Sequence, residues 1–203
     1  MTLFRGAFNG KLFWMNKIVC VSGMCGAGKS VVSDFFVKNG FQYIRFGQLT
    51  IEELKKRNLE VNEVNERMVR EDLRKTHGMA AYAILNLPKF DELMKNGNVI
   101  ADGLYSWEEY KILKDHYNDN LVVIAVYASP KIRYERLEKR NIDGGVDFRN
   151  RPLTREDAKS RDYAELEKLN KGGPIAMADF TIVNNKDINF LNQQIEEIYG
   201  QIK

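Results

Sequence analysis

The chain is expected to fold as an α/β protein, a three-layer sandwich with a parallel sheet between two layers of helices. Five short apolar runs, at 18–21, 41–46, 99–101, 121–127 and 180–183, are rich in β-branched or aromatic residues and are bounded by turn signals. Helical patterns alternate with them, and near-continuous apolar strands separated by helices imply a parallel sheet covered on both faces. A glycine-rich loop, Gly23-Met24-Cys25-Gly26-Ala27-Gly28-Lys29-Ser30, joins the first apolar run to the first helical pattern.

Residues 1–16 read as an N-terminal extension. Arg5 and Lys11 lie there among scattered apolar residues. The continuous apolar stretch and small-residue cleavage site of a signal peptide are both missing, and Met15 directly precedes the first strand. The first strand, 18–21, ends at the loop, and a helix is expected over 31–38. After the second strand comes a long, highly charged connection, residues 47–97, with helical patterns at 61–77 and 80–95. The third strand, 99–101, runs into Asp102-Gly103, and a helix follows over 107–116. The fourth strand precedes helical patterns at 130–140 and 155–169, and the fifth precedes a last helix at 188–202.

At 203 residues the chain suits one domain, taken as 17–203. Hydrophobic residues make up 44% and charged residues 29%, a globular composition. The formal charge of +3 is too small to imply a general affinity for polyanions. Two cysteines, Cys20 and Cys25, are too few for a disulfide scaffold and lack zinc-site spacing. No run of 18 apolar residues is present, so no membrane span and a cytoplasmic location are expected.

The loop fits the G-x-x-x-x-G-K-[ST] phosphate-binding pattern without a mismatch, in the strand-to-helix context that the chemistry requires. Glycines let it curl so that successive N–H groups point at phosphate oxygens, and the following helix adds its positive end. Gly23, Cys25, Gly26, Ala27, Gly28, Lys29 and Ser30 are therefore the nucleotide-binding candidates. Lys29 is expected to reach the β- and γ-phosphates, and Ser30 to ligate Mg²⁺. Asp102, at the carboxyl end of a buried strand, is a candidate either to hold Mg²⁺ through water or to orient the acceptor oxygen. Seven arginines, Arg133, Arg136, Arg140, Arg149, Arg151, Arg155 and Arg161, fall in one segment around an Asp143-Gly144-Gly145 turn. Phosphoryl transfer needs cations around the moving phosphate, and a glycine-containing segment that carries them reads as a lid over 133–161. Arg133, Arg136 and Arg140 are spaced to share one helix face. Glu135, Glu138, Glu156 and Asp157 stand ready to pair with some of the seven. Arg136, Arg140 and Arg161 are the candidates for phosphate contact.

The loop, the Asp102-Gly103 turn, Glu135-Arg136-Leu137-x-x-Arg140 and the Arg155/Arg161 pair resemble the nucleoside monophosphate kinase superfamily, whose familiar member is adenylate kinase. Asp102-Gly103-Leu104-Tyr105-Ser106, Ala128-Ser129-Pro130, Ser160-Arg161-Asp162 and Gly173-Pro174-Ile175-Ala176-x-Ala178-Asp179 are similar to adenylate-kinase-like P-loop proteins placed near dephospho-CoA kinase. The resemblance implies a P-loop NTPase fold with a five-stranded parallel sheet in the order 2-3-1-4-5. It also implies an acceptor-binding insertion at about 47–97 and catalytic roles for Lys29, Asp102, Arg136, Arg140 and Arg161, with ATP and Mg²⁺. Two features depart from the pattern. Tyr105 stands where adenylate kinases usually carry an arginine, and the Arg155–Arg161 spacing is shorter than usual. In the insertion, Arg45, Arg67, Arg70, Arg74 and His77-Gly78-Met79 are present, with Arg70 and Arg74 four apart on a helix. His77 reads as a polar helix end rather than a base.

Three functional classes follow. The first is a kinase moving the γ-phosphate of ATP to a small acceptor, a nucleoside monophosphate or, alternatively, dephospho-CoA. The second is an NTPase switch, against which the spaced Asn-Lys-x-Asp of guanine readers is missing: Asn184-Asn185-Lys186-Asp187 lacks the spacer. The third is a nucleic-acid-binding module, weakly supported by the modest charge.

Overall fold

Five consecutive buried residues, Ile18–Ser22, form the central strand, and their side chains alternate between two separate cores. Ile18 and Cys20 pack on one face with Ile44, Phe46, Tyr82, Phe90 and Leu113. Val19 and Val21 pack on the other with Phe36, Ile124, Val126, Ile195 and Ile198. A strand buried on both sides needs an apolar residue at nearly every position, which is why no alternation was visible in its sequence. Each fully buried Val or Ile contributes roughly 1.5–3 kcal/mol relative to exposure.

The structure, a computed structural model, describes residues 5–8, 11–14, 16–140 and 152–203, the first two segments as backbone alone. In chain order the elements are β1 (Arg5–Phe8), β2 (Lys11–Trp14), β3 (Ile18–Ser22), α1 (Lys29–Lys38), β4 (Gln42–Arg45), α2 (Gln48–Lys56), α3 (Glu63–His77), α4 (Ala81–Met94) and β5 (Val99–Asp102). They continue with α5 (Trp107–Tyr117), a 3₁₀ turn (Asn118–Asn120), β6 (Leu121–Tyr127), α6 (Pro130–Glu138), α7 (Arg155–Leu169), α8 (Gly172–Ala176), β7 (Phe180–Val183) and α9 (Ile188–Ile202). The main sheet is parallel throughout, in the order β4-β5-β3-β6-β7, which is the expected 2-3-1-4-5. Cys25 is partly buried and Cys20 fully buried, both as free thiols.

Four features differ from the sequence expectations. The extension forms a two-stranded antiparallel hairpin, β1 with β2. Helix α2 begins one residue after Gly47 and packs Ile51 and Leu54 against Val69 of α3. The five-residue α8 was not foreseen. Helix α6 stops at Glu138, so Arg140 lies beyond it and does not share a helical face with Arg133 and Arg136. The Leu153 N–H donates to the Leu137 carbonyl (3.3 Å), so an orphan acceptor of the last turn is met from outside the helix. The Asp143-Gly144-Gly145 turn, Arg149 and Arg151, the centre of the expected lid, lie outside the described residues.

Arg133 is buried, at 3% exposure. Its guanidinium donates to both Asp162 oxygens (2.9 and 2.6 Å) and to the carbonyls of Ala128 (3.0 Å) and Cys25 (3.1 Å). The partner acid is therefore Asp162 of α7, not any of the acids near in sequence. Removing one member of a buried pair leaves an uncompensated charge. Asp162→Ala is expected to lower unfolding free energy by about 3–5 kcal/mol in urea titration; a loss below about 1 kcal/mol would mark the pair as dispensable.

Candidate active site

The loop leaves β3 at Gly23 (φ 139°), where an added Cβ would lie 2.3 Å from the Val126 carbonyl oxygen. At Gly28 (φ 101°) an added Cβ would meet the Asn184 amide nitrogen at 2.3 Å. Both positions combine left-handed backbone with close approach, so only glycine fits. Gly28 is also the cap of α1, whose first turn has no side-chain partner. Its first N–H groups and the helix dipole could hold an anion, the Val31 N–H being already given to the Gly28 carbonyl (3.1 Å). Lys29 folds back and donates to the carbonyls of Gly23 (2.8 Å) and Met24 (3.1 Å). Burial, then the charge of Lys171, push its ammonium down to about 8.

Asp102 ends β5 with its Cα paired to Val21 on one side and to Arg45 on the other. It is 7% exposed. Gly103 and Leu104 donate backbone N–H groups to the Val21 carbonyl (3.1 and 3.2 Å), and the Ser22 hydroxyl donates to the Leu104 carbonyl (3.0 Å). The turn after Asp102 is thereby tied to the strand that launches the loop. Ser30 lies in the first turn of α1 and is partly buried.

The arginines diverge. Arg136 donates to the Asn184 side-chain oxygen (3.3 Å), and Asn184 in turn donates to the Ala27 carbonyl (2.8 Å). The other terminal nitrogen of Arg136 is buried without a partner among the described residues, and burial pulls its pKa below the ordinary value. Arg140 is partly buried beyond α6, and Arg155 is exposed at the start of α7. Arg161 donates to one oxygen of Glu165 (3.0 Å), and Lys171 donates to the other (2.6 Å). Although burial alone would raise it, the Lys171 and Arg161 charges hold the Glu165 carboxyl at about 2. Asp157 accepts from the Thr154 hydroxyl (2.7 Å) at the α7 cap.

On the insertion side, Tyr105 gathers several groups. Its ring lies edge-on to Tyr82 (6.4 Å), the Lys171 ammonium sits 5.0 Å above it, and its backbone N–H donates to Glu109 (2.9 Å). The Arg74 guanidinium covers the Tyr82 ring at 5.1 Å, with Nε buried and unpartnered among the described residues. Tyr82 and Thr50 share a 2.6 Å hydrogen bond. Arg70 engages Glu66 (3.4 Å) and Arg67 engages Glu71 (2.9 Å), so the two helical neighbours Arg70 and Arg74 separate. His77 is exposed at the end of α3, as its reading as a polar helix end implies. Glu165 and Lys171 were not singled out in the sequence, and Asp162 entered only within Ser160-Arg161-Asp162. An i,i+4 signal existed for Arg161–Glu165, but none existed for the others.

A parallel sheet in this order, with the glycine-rich loop at the end of its central strand, defines a P-loop kinase-like NTPase fold. The family model for an AAA domain matches residues 19–172. A UPF0200 protein of Thermococcus kodakarensis is 34% identical over 187 residues, 91% of this chain and 97% of the relative. One from Sulfurisphaera tokodaii is 31% identical over 186 residues, 92% and 97% of the two chains. The chain belongs to that AAA-domain family and to the UPF0200 proteins. Among solved structures, TT1252 from Thermus thermophilus superposes with a TM-score of 0.62 at 15% identity, covering 93% of this chain and 98% of its own. Shikimate kinase from Bacteroides thetaiotaomicron gives 0.53 at 13% identity, with 91% and 97% covered. These two likenesses are to the fold. Among the described residues no helix is long and apolar enough to cross a membrane.

Glu109 underpins the turn beside Asp102. It is fully buried and closes a capping box with Ser106, yet its second oxygen has no partner among the described residues. Burial raises its carboxyl to about 7, against the opposing backbone N–H bonds. A raised carboxyl favours folding below its unfolded pKa, and that advantage is lost as pH rises through the folded value. Wild type is therefore expected to lose stability relative to Glu109→Gln between pH 4.5 and 7, by roughly 3 kcal/mol at the upper limit. Urea titrations across that window check it, and parallel curves would show that Glu109 titrates normally.

Proposed function

We propose that the chain is an ATP-dependent phosphotransferase that moves the γ-phosphate to a small phosphorylated acceptor, most simply a nucleoside monophosphate. The observation that carries this reading is Lys29. Its ammonium is held on two loop carbonyls instead of a carboxylate, and a second buried lysine crowds it. A cation so placed, beside an uncapped helix start, favours a polyanion. Lys29 then exchanges Gly23 and Met24 for the β- and γ-phosphate oxygens. Arg136, with one nitrogen unpartnered among the described residues, and Arg161, oriented by Glu165, supply further cations, and Arg140 completes the set.

The oxygen donors Ser30 and Asp102 suit Mg²⁺, a hard ion that keeps several waters and takes few protein carboxylates. Among the described residues there is no cluster of three or more metal-ligating acids, histidines or cysteines, which fits an ion shared with substrate phosphates. Such an ion supplies neutralisation of the charge on the phosphates. On the acceptor side, Arg74, with its Nε unpartnered among the described residues, and Arg45 at the end of β4 favour a phosphate over an uncharged hydroxyl compound. An anionic acceptor oxygen attacks the γ-phosphorus while the bond to the bridging oxygen breaks, releasing ADP. No proton has to be removed first, so no general base is needed, in keeping with the exposed His77.

A coupled ATP-consumption assay over a panel of nucleoside monophosphates, with dephospho-CoA and shikimate as controls, is expected to show acceptor-dependent ADP release. Turnover that ignores every acceptor would favour the NTPase switch. Lys29→Ala is expected to abolish turnover with an unchanged Tm, and wild-type nucleotide affinity in that variant would count against the loop assignment. Asp102→Asn is expected to lower kcat by roughly 100-fold. The Lys29 ammonium is lost as pH rises through about 8. Calorimetric affinity for Mg·ADP should thus fall by up to about tenfold per pH unit above that value, while Lys29→Arg stays flat.

A further inference from the structure

Lys171 has no place in the phosphate loop or in the arginine segment, yet it is 1% exposed. Its position follows from the backbone. Helix α7 ends at Asn170 in the left-handed conformation (φ 49°), which reverses the chain. The Lys171 N–H returns to the Glu165 carbonyl (3.2 Å), and its ammonium returns to the Glu165 side chain (2.6 Å). Glycine at 173 closes α8 onto α5, since a Cβ there would lie 2.7 Å from the Trp107 ring. The ammonium then stands 5.0 Å above Tyr105, whose hydroxyl would touch a Cβ placed on Gly103 at 3.0 Å, next to Asp102. A cation is thereby brought to the turn after Asp102.

Among the described residues three cations meet at this point, Lys29, Lys171 and Arg161, and the carboxylates that act on them are Glu165 and Asp102. Glu165 is a single carboxylate shared between Lys171 and Arg161, while Lys29 rests on carbonyls. Burying an ammonium is costly unless its charge is met, and half a carboxylate meets it incompletely. The Lys171 charge reaches Lys29, which it pushes down. An arriving phosphate would satisfy both lysines at once.

We propose that Lys171 is a second lysine on the terminal phosphate of the bound triphosphate, set by Glu165 and the Tyr105 ring and acting together with Lys29. This rests on the phosphotransferase reading above. Calorimetry of the full chain with Mg·ADP and with the Mg²⁺ complex of β,γ-imido-ATP separates the two. Lys171→Met is expected to weaken the imido analogue by about tenfold or more, while ADP changes by less than about twofold. Lys171→Arg, which keeps the charge, is expected to stay within about threefold of wild type for both. Equal weakening of both nucleotides, or none, would overturn the assignment. Wild type that binds neither nucleotide would instead sink the phosphotransferase reading itself. Should Lys171→Met fail to fold, the ¹⁵N resonance of the wild-type Lys171 ammonium, assigned with Lys171→Arg, is expected to move when the imido analogue replaces ADP. An unmoved resonance would overturn the proposal.

Discussion

One guanidinium sets the geometry on which the site depends. Arg133 reaches the Cys25 carbonyl in the loop, the Ala128 carbonyl at the exit of β6 and both oxygens of Asp162 in α7. Three segments distant in sequence are thus held at fixed separations by one planar group, which a lysine could not do. The backbone of the same residue constrains the loop from the side, because a Cβ on Gly26 would lie 2.9 Å from the Arg133 carbonyl oxygen. The loop is therefore shaped by its neighbours as well as by its own glycines.

The inner strands β3, β5 and β6 were readable from the sequence because they are buried on both faces, whereas the edge strands β4 and β7 bury one residue each. The inner three announce themselves as apolar runs, β4 is marked by Tyr43, Ile44 and the flanking Phe41 and Phe46, and the loop between β3 and α1 is a local motif whose spacing carries its chemistry. Helix α2 was hidden because it starts from Gly47 without a side-chain cap and buries Thr50 beside Ile51 and Leu54. Helix α8 is five residues long, too short for any periodicity to show.

The site was legible only where a local pattern marks its parts. Lys29, Ser30 and Asp102 stand out because strand ends place them together. Arg133 reads in sequence as one more cation of a phosphate-gripping cluster, but its partner is 29 residues away and its role is to join elements. Lys171 precedes two glycines and looks like loop, and only the reversal at Asn170 carries it to Glu165. Long-range pairing between charged residues has no sequence period to betray it.

The Asn184 amide holds the Ala27 carbonyl across 157 residues of chain and closes on Gly28 so tightly that no side chain fits there. The loop is made early in synthesis, whereas the residue that braces it emerges only after β7. A nascent chain that has not yet reached Asn184 holds the loop's sequence but lacks the wall that fixes its curl. Completion of the loop's wall is consequently a late event in the folding of the chain, tied to a contact that closes 157 residues of sequence.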